Sequence, residues 1–452
     1  MYNMKKVNLN PKNKSNDGIE EFTEHANKRK HYELSEAKNT VEYIEHFLES
    51  TKHIIDRNPA KPKDYDKWTN KEQYEHIISN VKTYIPGIPD SLLFFIPAAL
   101  HRGDCGRNST DKPLWLDMDK FRRGQQFARD HFFSILFANV LSLFNIFAFA
   151  DGLKPIILSQ RSHTPYLAFK RYLSTTCRVQ NWLLGDPWTV GTEAYKDIQV
   201  VRKMHRAMRA RLCELDNKKI DIATKIPHPW CPDREIILKD FSSCPYPTVE
   251  NGCLHLSVKP KGLNQADMGA TQFAFIGMIL LYPREFGIHV SDNDMAAFCH
   301  TWRGIGYLLG IEDQYNFCRG NLEEIKQRSH DFVELWVKSY LRQVTPEWEH
   351  MMRCVTESLT YYIGGSSFKT LLLFVTNLLN IDMPHLQSSL TFSERLHLMF
   401  YRFLFRYAMK LRLIRELLNN IMHKVLNKAV KYGPEKHKKL QTRSSQIILI
   451  QN

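Results

Sequence analysis

Turn-forming residues are scarce in this chain: 452 residues carry only 20 glycines and 20 prolines. A β-sandwich or barrel needs a tight turn roughly every 8–12 residues, so that architecture is excluded. Long periodic segments with few breakers point instead to an all-α fold. Cysteine is also sparse, nine in all, scattered and odd in number, which excludes a disulfide framework. The opening residues, MYNMKKVNLNPKNKSNDG, lack the apolar stretch of a signal peptide. The expected location is therefore intracellular, in the cytoplasm or on the endoplasmic-reticulum membrane. No P-loop, GxGxxG, HExxH or nucleophile elbow occurs, so none of the chemistry those motifs carry is signalled. Long apolar runs are limited to one, FFSILFANVLSLFNIFAFA from Phe132 to Ala150. Asn139 and Asn145 interrupt it, and Arg129 and Asp130 precede it. A buried core helix is favoured over a membrane span.

What the chain does have is apolar mass. Residues of hydrophobic type make up 43% and aromatics 12%, enough for a sizeable core and too much for a disordered protein. The net charge of +14 is uneven: Arg395 to Lys439 holds twelve Lys/Arg and two Glu, a net +10. One basic appendage on a nearly balanced body argues against a nucleic-acid footprint over the whole domain.

Texture divides the chain into three parts. Residues 1–80 read as a polar extension: a tail, a helix around Thr40–Lys52, and a spacer DRNPAKPKDYDKW. Residues 81–385 form the dense helical domain, and 386–452 a basic amphipathic C-terminal helix and tail. Helix starts are marked at Asn264–Asp267, Ser291–Asp294, Asn321–Glu324 and Thr391–Glu394, each a capping side chain three residues ahead of a carboxylate. Thr345-Pro346 places proline at a first helical position, and Pro283 and Gly310 supply stops. The stretch HPWCPDREIILKDFSSCPYPTVENGCLHL is an excursion of loop with room for a short strand. At its end, Arg395 to Val430 reads as one long helix. Its stripe of Leu396, Phe400, Phe403, Tyr407, Leu411, Ile414, Leu418, Ile421 and Val425 follows three-and-four spacing.

Two helices carry polar residues where apolar ones are expected. In VVRKMHRAMRARL, Ile198, Val201, His205, Met208 and Leu212 share one face, with Arg202, Arg206 and Arg209 on a second stripe about 100° away. A lone imidazole on an apolar wall is ordinarily a core residue that hydrogen-bonds a carbonyl. The same pattern also suits haem: an axial nitrogen, aliphatic cover, and guanidiniums to neutralise propionates. In FKRYLSTTCRVQNWL, Arg171, Thr175, Arg178 and Trp182 lie on one stripe that needs polar partners, either across a helix interface or in a site.

These residues resemble the paired signatures of the rubber oxygenase (latex-clearing protein) and ER-bound oxygenase mpaB catalytic-domain family. RYLSTT is similar to its Arg-x-x-x-Thr helix, and VRKMHRAMR to its V-R-x-M-H-x-x-x-R helix. DMDKFRRGQQFARDHF, LNQADMGATQFAF and TWRGIGYLLGI resemble three further motifs in family order, so that the likeness spans about Asp117 to Ile311. The resemblance implies an all-α fold with a globin-like helical core, haem b held by His205, and Arg171 and Thr175 as distal-pocket residues. Arg202 and Arg209 become candidate propionate partners or supports of the ligand helix. It also implies an oxygenase acting with O₂ on a hydrophobic, prenyl or alkene-containing substrate. Two departures fall on the chemistry. Ser174 stands where rubber oxygenase has a lysine, and no glutamate occurs between Glu75 and Glu193. They set a non-catalytic haem- or lipid-binding protein of the same fold beside the oxygenase.

Three constellations remain. His228, Cys231, Cys244, Cys253 and His255 match no common zinc spacing, and separate buried cysteines are favoured. Trp302 and Arg303, with Gly304 and Gly306 allowing close helix approach, favour a structural role. The basic C-terminal helix either packs its apolar stripe on the domain or lies on an anionic membrane surface. Nucleic acid ranks third, because stacking aromatics are not interleaved with the basic residues.

Overall fold

The computed structural model describes residues 17–243, 260–364 and 367–450. Among these the fold is all-α: no strand occurs, and the one β contact is an isolated bridge between Arg102 and Asn264. The principal helices, in chain order, begin with α1 (Asp17–Ile55), α2 (Asn70–Ser79), α3 (Met118–Asp130), α4 (Phe132–Phe147) and α5 (Ala150–Leu158). Next come α6 (Pro165–Leu184), α7 (Glu193–Glu214), α8 (Gln265–Leu281), α9 (Asp292–Leu308) and α10 (Leu322–Phe332). The series closes with α11 (Pro346–Leu359), α12 (Phe368–Leu378), α13 (Phe392–Arg406), α14 (Arg412–Val430) and α15 (Pro434–Ile450).

Capping chemistry sets where several helices begin. Full capping boxes close on Asn264 with Asp267, Asn321 with Glu324, and Thr391 with Glu394. Ser291 caps α9, and Thr345 caps α11 with Pro346 at its first position. The stops lie where expected: α8 ends before Pro283, and Gly310 follows α9 at φ +97°, a left-handed conformation that glycine adopts without strain.

The apolar run 132–150 lies at the centre of this body. Phe132, Ile135, Ala138, Leu141, Phe144 and Phe147 of α4 are all buried, and the helix packs against α8, α11, α12 and α14. Each such phenylalanine stabilises the fold by about 1.5–3 kcal/mol. No single helix among the described residues is long and apolar enough to cross a membrane; α3 and α4 pass together only as a pair bent by 87°. The tightest helix contact is between α3 and α9, where a Cβ on Gly124 would fall 2.2 Å from the Ala297 carbonyl oxygen. Gly304 and Gly306 do likewise for Phe121 and Gln272, which gives TWRGIGYLLGI its packing role.

Two sequence expectations change here. The first helix is longer than Thr40–Lys52 because α1 is fastened to α7: the Asn39 amide donates to the Cys213 carbonyl at 3.3 Å, and Glu36 binds Arg209. The spacer after it is folded rather than extended. Tyr65 and Trp68 pack with ring centres 5.5 Å apart and planes tilted by 52° in a cluster with Phe47 and Tyr74, and Lys61 bridges Asp56 and Asp66.

The expected long helix Arg395–Val430 is two helices. A turn at Ala408–Lys410 divides α13 from α14 and drives Met409 into full burial against Gly287. Of the two readings of the stripe, packing on the domain does not hold for α13. Its inward residues are Leu398, Tyr401, Leu404 and Phe405, which meet Phe137, Phe286 and Phe374. Leu396, Phe400, Phe403 and Tyr407 point to solvent. Both faces of α13 are apolar, so periodicity alone could not choose between them.

Candidate functional site

Helices α6 and α7 pack against each other and carry the two signatures. Thr164 caps α6, accepting from the Leu167 amide at 3.3 Å, with Pro165 in its first turn. Thr192 caps α7, accepting from the Tyr195 amide at 3.1 Å. These caps fix the start of each helix, and hence the angular position of every side chain along it.

On α7, Ile198, Val201 and Leu212 are buried and Met208 is half-buried, as the apolar face required. His205 is half-buried between them, facing the turn between α5 and α6. There Arg161 reaches the Met204 sulfur at 3.9 Å, and Arg211 donates to the Leu158 carbonyl at 3.3 Å. The His205 Nδ1 atom is buried and has no hydrogen-bond partner among the described residues. Burial, reinforced by the nearby Arg171 guanidinium and opposed by Asp104, pushes the ring down to about 4. The imidazole is therefore neutral at pH 7.

Across from it on α6, Arg171 donates to the hydroxyls of Ser159 at 3.1 Å and Ser162 at 3.3 Å. Its neighbours in that hydrogen-bonding set are serines rather than carboxylates, so its charge is held beside His205 without being cancelled there. Thr175 is exposed, and its hydroxyl donates to the Arg171 carbonyl one turn back at 3.0 Å. Further along the stripe Arg178 pairs with Asp197 of α7 at 3.5 Å, and Trp182 is buried. That half of the stripe is a helix–helix interface.

The arginine stripe of α7 is divided. Arg206 is exposed. Arg202 and Arg209 are buried, each on a carboxylate that sequence reasoning did not find. Arg202 grips Asp104 with Nε at 3.0 Å and Nη2 at 2.6 Å, and also donates to the Arg107 carbonyl at 2.9 Å. Burial raises the Asp104 carboxyl, but the Arg202 hydrogen bonds, the Gly106 amide and the charges of Arg202 and Arg206 together outweigh it and hold it below the usual carboxylate range. Arg209 grips Glu36 at 2.8 and 2.7 Å and donates to the carbonyls of Lys261 and of Gly262, the latter at 3.1 Å. Asp104 lies 98 positions and Glu36 173 positions from its arginine, so no local signal could have paired them.

LNQADMGATQFAF and TWRGIGYLLGI converge on one corner beside α7. Gln265, fully buried, donates to the carbonyls of Arg102, Gly103 and Gly310 and accepts from the Glu312 amide at 3.0 Å. Cys105 donates to the Gly310 carbonyl at 3.0 Å, and Arg303 grips Asp313 at 2.9 and 2.6 Å. Through Asp104 and Arg202 this corner is joined to the helix that carries His205.

Of the zinc candidates, Cys244, Cys253 and His255 lie outside the described residues. The Cys231 sulfur donates to the Pro346 carbonyl at 3.2 Å, and no metal-ligating group of three occurs among the described residues. A cavity of about 360 Å³ beside α1 is lined by Glu45, Leu48, Tyr65 and Gln73, and does not touch α6 or α7.

No family model matches the sequence, and no curated protein matches it. Among solved structures the chain is similar to one described as latex clearing protein LCP in the closed state. The two are 15% identical, the match covers 75% of this chain and 80% of that chain, and the TM-score is 0.43.

Proposed function

We propose that the chain is a haem b-binding, oxygenase-like protein that acts with O₂ on a hydrophobic substrate of prenyl or alkene type. The observation that carries this reading is His205: a neutral imidazole on an apolar helix face, with a buried ring nitrogen that no group among the described residues satisfies. A core histidine ordinarily has a partner for such an atom. The donor chemistry fits an iron ligand, which must be an unprotonated imidazole. His205 would hold the iron, and haem, when bound, supplies the activation of O₂ that side chains cannot.

The remaining residues have supporting roles. Burial keeps the His205 ring unprotonated and the nearby Arg171 guanidinium adds to it; Arg171 is the polar group that α6 offers to the site, with Thr175 one turn further along the same helix face. Ile198, Val201 and Met208 exclude water from the imidazole. Arg202 and Arg209 act through the helix, holding α7 in place, because both guanidiniums already rest on carboxylates. A non-catalytic haem- or lipid-binding role is the second reading. It is favoured by Ser174 in the place of the family's lysine and by serines, with no carboxylate, around Arg171.

The test is the absorption spectrum of protein expressed with ample haem. A Soret band that His205→Ala abolishes is the expected result; a colourless wild type sinks the oxygenase and the haem-binding readings and leaves only lipid binding. Product analysis then separates them, since carbonyl products from a prenyl substrate, formed only when O₂ is present, mark the oxygenase.

A further inference from the structure

Helix α13 has an outer face that the fold leaves uncovered. Phe392, Leu396, Met399, Phe400, Phe403 and Tyr407 step by three and four, so they form one continuous stripe. All are exposed, Phe392 at 78%, Phe400 at 55% and Phe403 at 59%. Beyond the Ala408–Lys410 turn, Leu411, Leu413, Leu417 and Ile421 extend the exposed apolar surface onto α14. Scattered exposed apolar residues are ordinary, but a continuous stripe of large apolar side chains on one helix marks an interaction surface.

Its charge says what covers it. Arg395, Arg402, Arg406, Lys410 and Arg412 are exposed along the same two helices. Arg412 is paired with Glu416 at 2.6 Å, whereas Arg402 and Arg406 have no carboxylate within salt-bridge distance among the described residues. Glu394, the other carboxylate of this stretch, is committed to the Thr391 cap and to Lys369. We infer that the outer face of α13 and the start of α14 form a docking surface for an anionic lipid bilayer. The phenylalanines and leucines enter the acyl boundary, and the arginines lie at the headgroups.

A second copy of the chain fits poorly, because pairing this face with itself opposes two sets of unpaired arginines. An RNA strand fits poorly too, since six of these ten exposed apolar residues, Leu396, Met399, Leu411, Leu413, Leu417 and Ile421, offer no ring on which a base can stack. The inner face of α13 is fully used against Phe137, Phe286 and Phe374, so the helix has no further apolar demand to satisfy within the fold. This surface does not depend on haem.

Vesicle sedimentation of the full chain tests the inference, with phosphatidylcholine alone and with about 30% phosphatidylserine added. Expected is binding to the anionic vesicles, weakened by salt at about 0.5 M and at least about tenfold weaker to the neutral ones. Phe400→Ser with Phe403→Ser, and separately Arg402→Glu with Arg406→Glu, should each lower the partition by about tenfold or more. Both pairs are exposed, and unchanged far-ultraviolet circular dichroism verifies that the variants fold. The inference is overturned if the wild type stays in the supernatant or if the serine variant binds as well as the wild type. It is overturned equally if the wild type dimerises through this face, seen as a dimer that the serine variant loses. Tighter retention by single-stranded RNA than by the vesicles would also overturn it.

Discussion

Three polar residues on one face and a half of α7 meet opposite fates. Arg202 and Arg209 are buried and saturated, each bidentate on a carboxylate and each with further carbonyls to donate to. His205, between them, has a buried nitrogen with nothing attached. The arginines are explained by the fold: take either away and a carboxylate is stranded. The histidine is not explained by the fold, because the helix would pack as well with another side chain there. In one helix, then, satisfied burial identifies the residues that build; the His205 Nδ1 shares its unsatisfied burial with the Gln199 amide nitrogen, and it is the imidazole chemistry that sets His205 apart.

The contrast can be broken most sharply at Arg202. Arg202→Ala leaves Asp104 buried without its partner, and stability should fall by about 3–5 kcal/mol in urea unfolding. Removing both groups, as Arg202→Met with Asp104→Leu, should recover much of that loss; a loss under about 1 kcal/mol in the single variant would refute the building role. Next is Arg209→Ala, expected to cost about 2–4 kcal/mol. It should also release α1, seen as faster proteolysis within residues 33–55, and Glu36→Ala should add little on top of it.

Acid distinguishes the histidine. Its folded pKa, about 4, lies below the ordinary 6.5, so the unfolded chain binds the extra proton first. Stability is full above about 6.5 and declines as pH falls towards 4, by about 2–3 kcal/mol from this residue at the lower end. His131, fully enclosed and also held at about 4, adds a second contribution of the same sign. His205→Gln should therefore lose less stability than the wild type between pH 7 and pH 5; parallel losses would show that the ring is not buried neutral. At pH 7 the same variant should differ from wild type by no more than about 1 kcal/mol, while haem retention disappears. Smallest of all is Thr175→Ala, an exposed site where the stability change should stay within about 0.5 kcal/mol, leaving any effect on haem spectra attributable to the site itself.

Much of the fold could be read in advance because its signals are local. Asn264, Asn321 and Thr391 announce their helices through partners three residues away, and Gly310 announces a stop through its own backbone. The burial of α4 follows from composition. What sequence could not show depends on distant partners. The division of Arg395–Val430 into two helices rests on Met409 fitting against Gly287, over 120 positions away, with neither glycine nor proline at the break. The direction of the α13 stripe was illegible because both its faces are apolar. At the site, the inward placement of His205 was legible from spacing. The roles of Arg202 and Arg209 were not, since Asp104 and Glu36 reach them from other parts of the chain.

One consequence follows from the corner built on Gln265. Its amide ties the segment at Arg102–Gly103 to the one at Gly310–Glu312, while the backbone of Gly103 reaches Leu263 and that of Cys105 reaches Gly310. The set of links is complete only when three chain segments have arrived. The corner therefore opens as a unit, and the amides of Gly103, Cys105 and Glu312 should exchange with solvent deuterium at a common rate. Because Asp104 belongs to the same unit, the histidine helix is released only when that whole unit lets go.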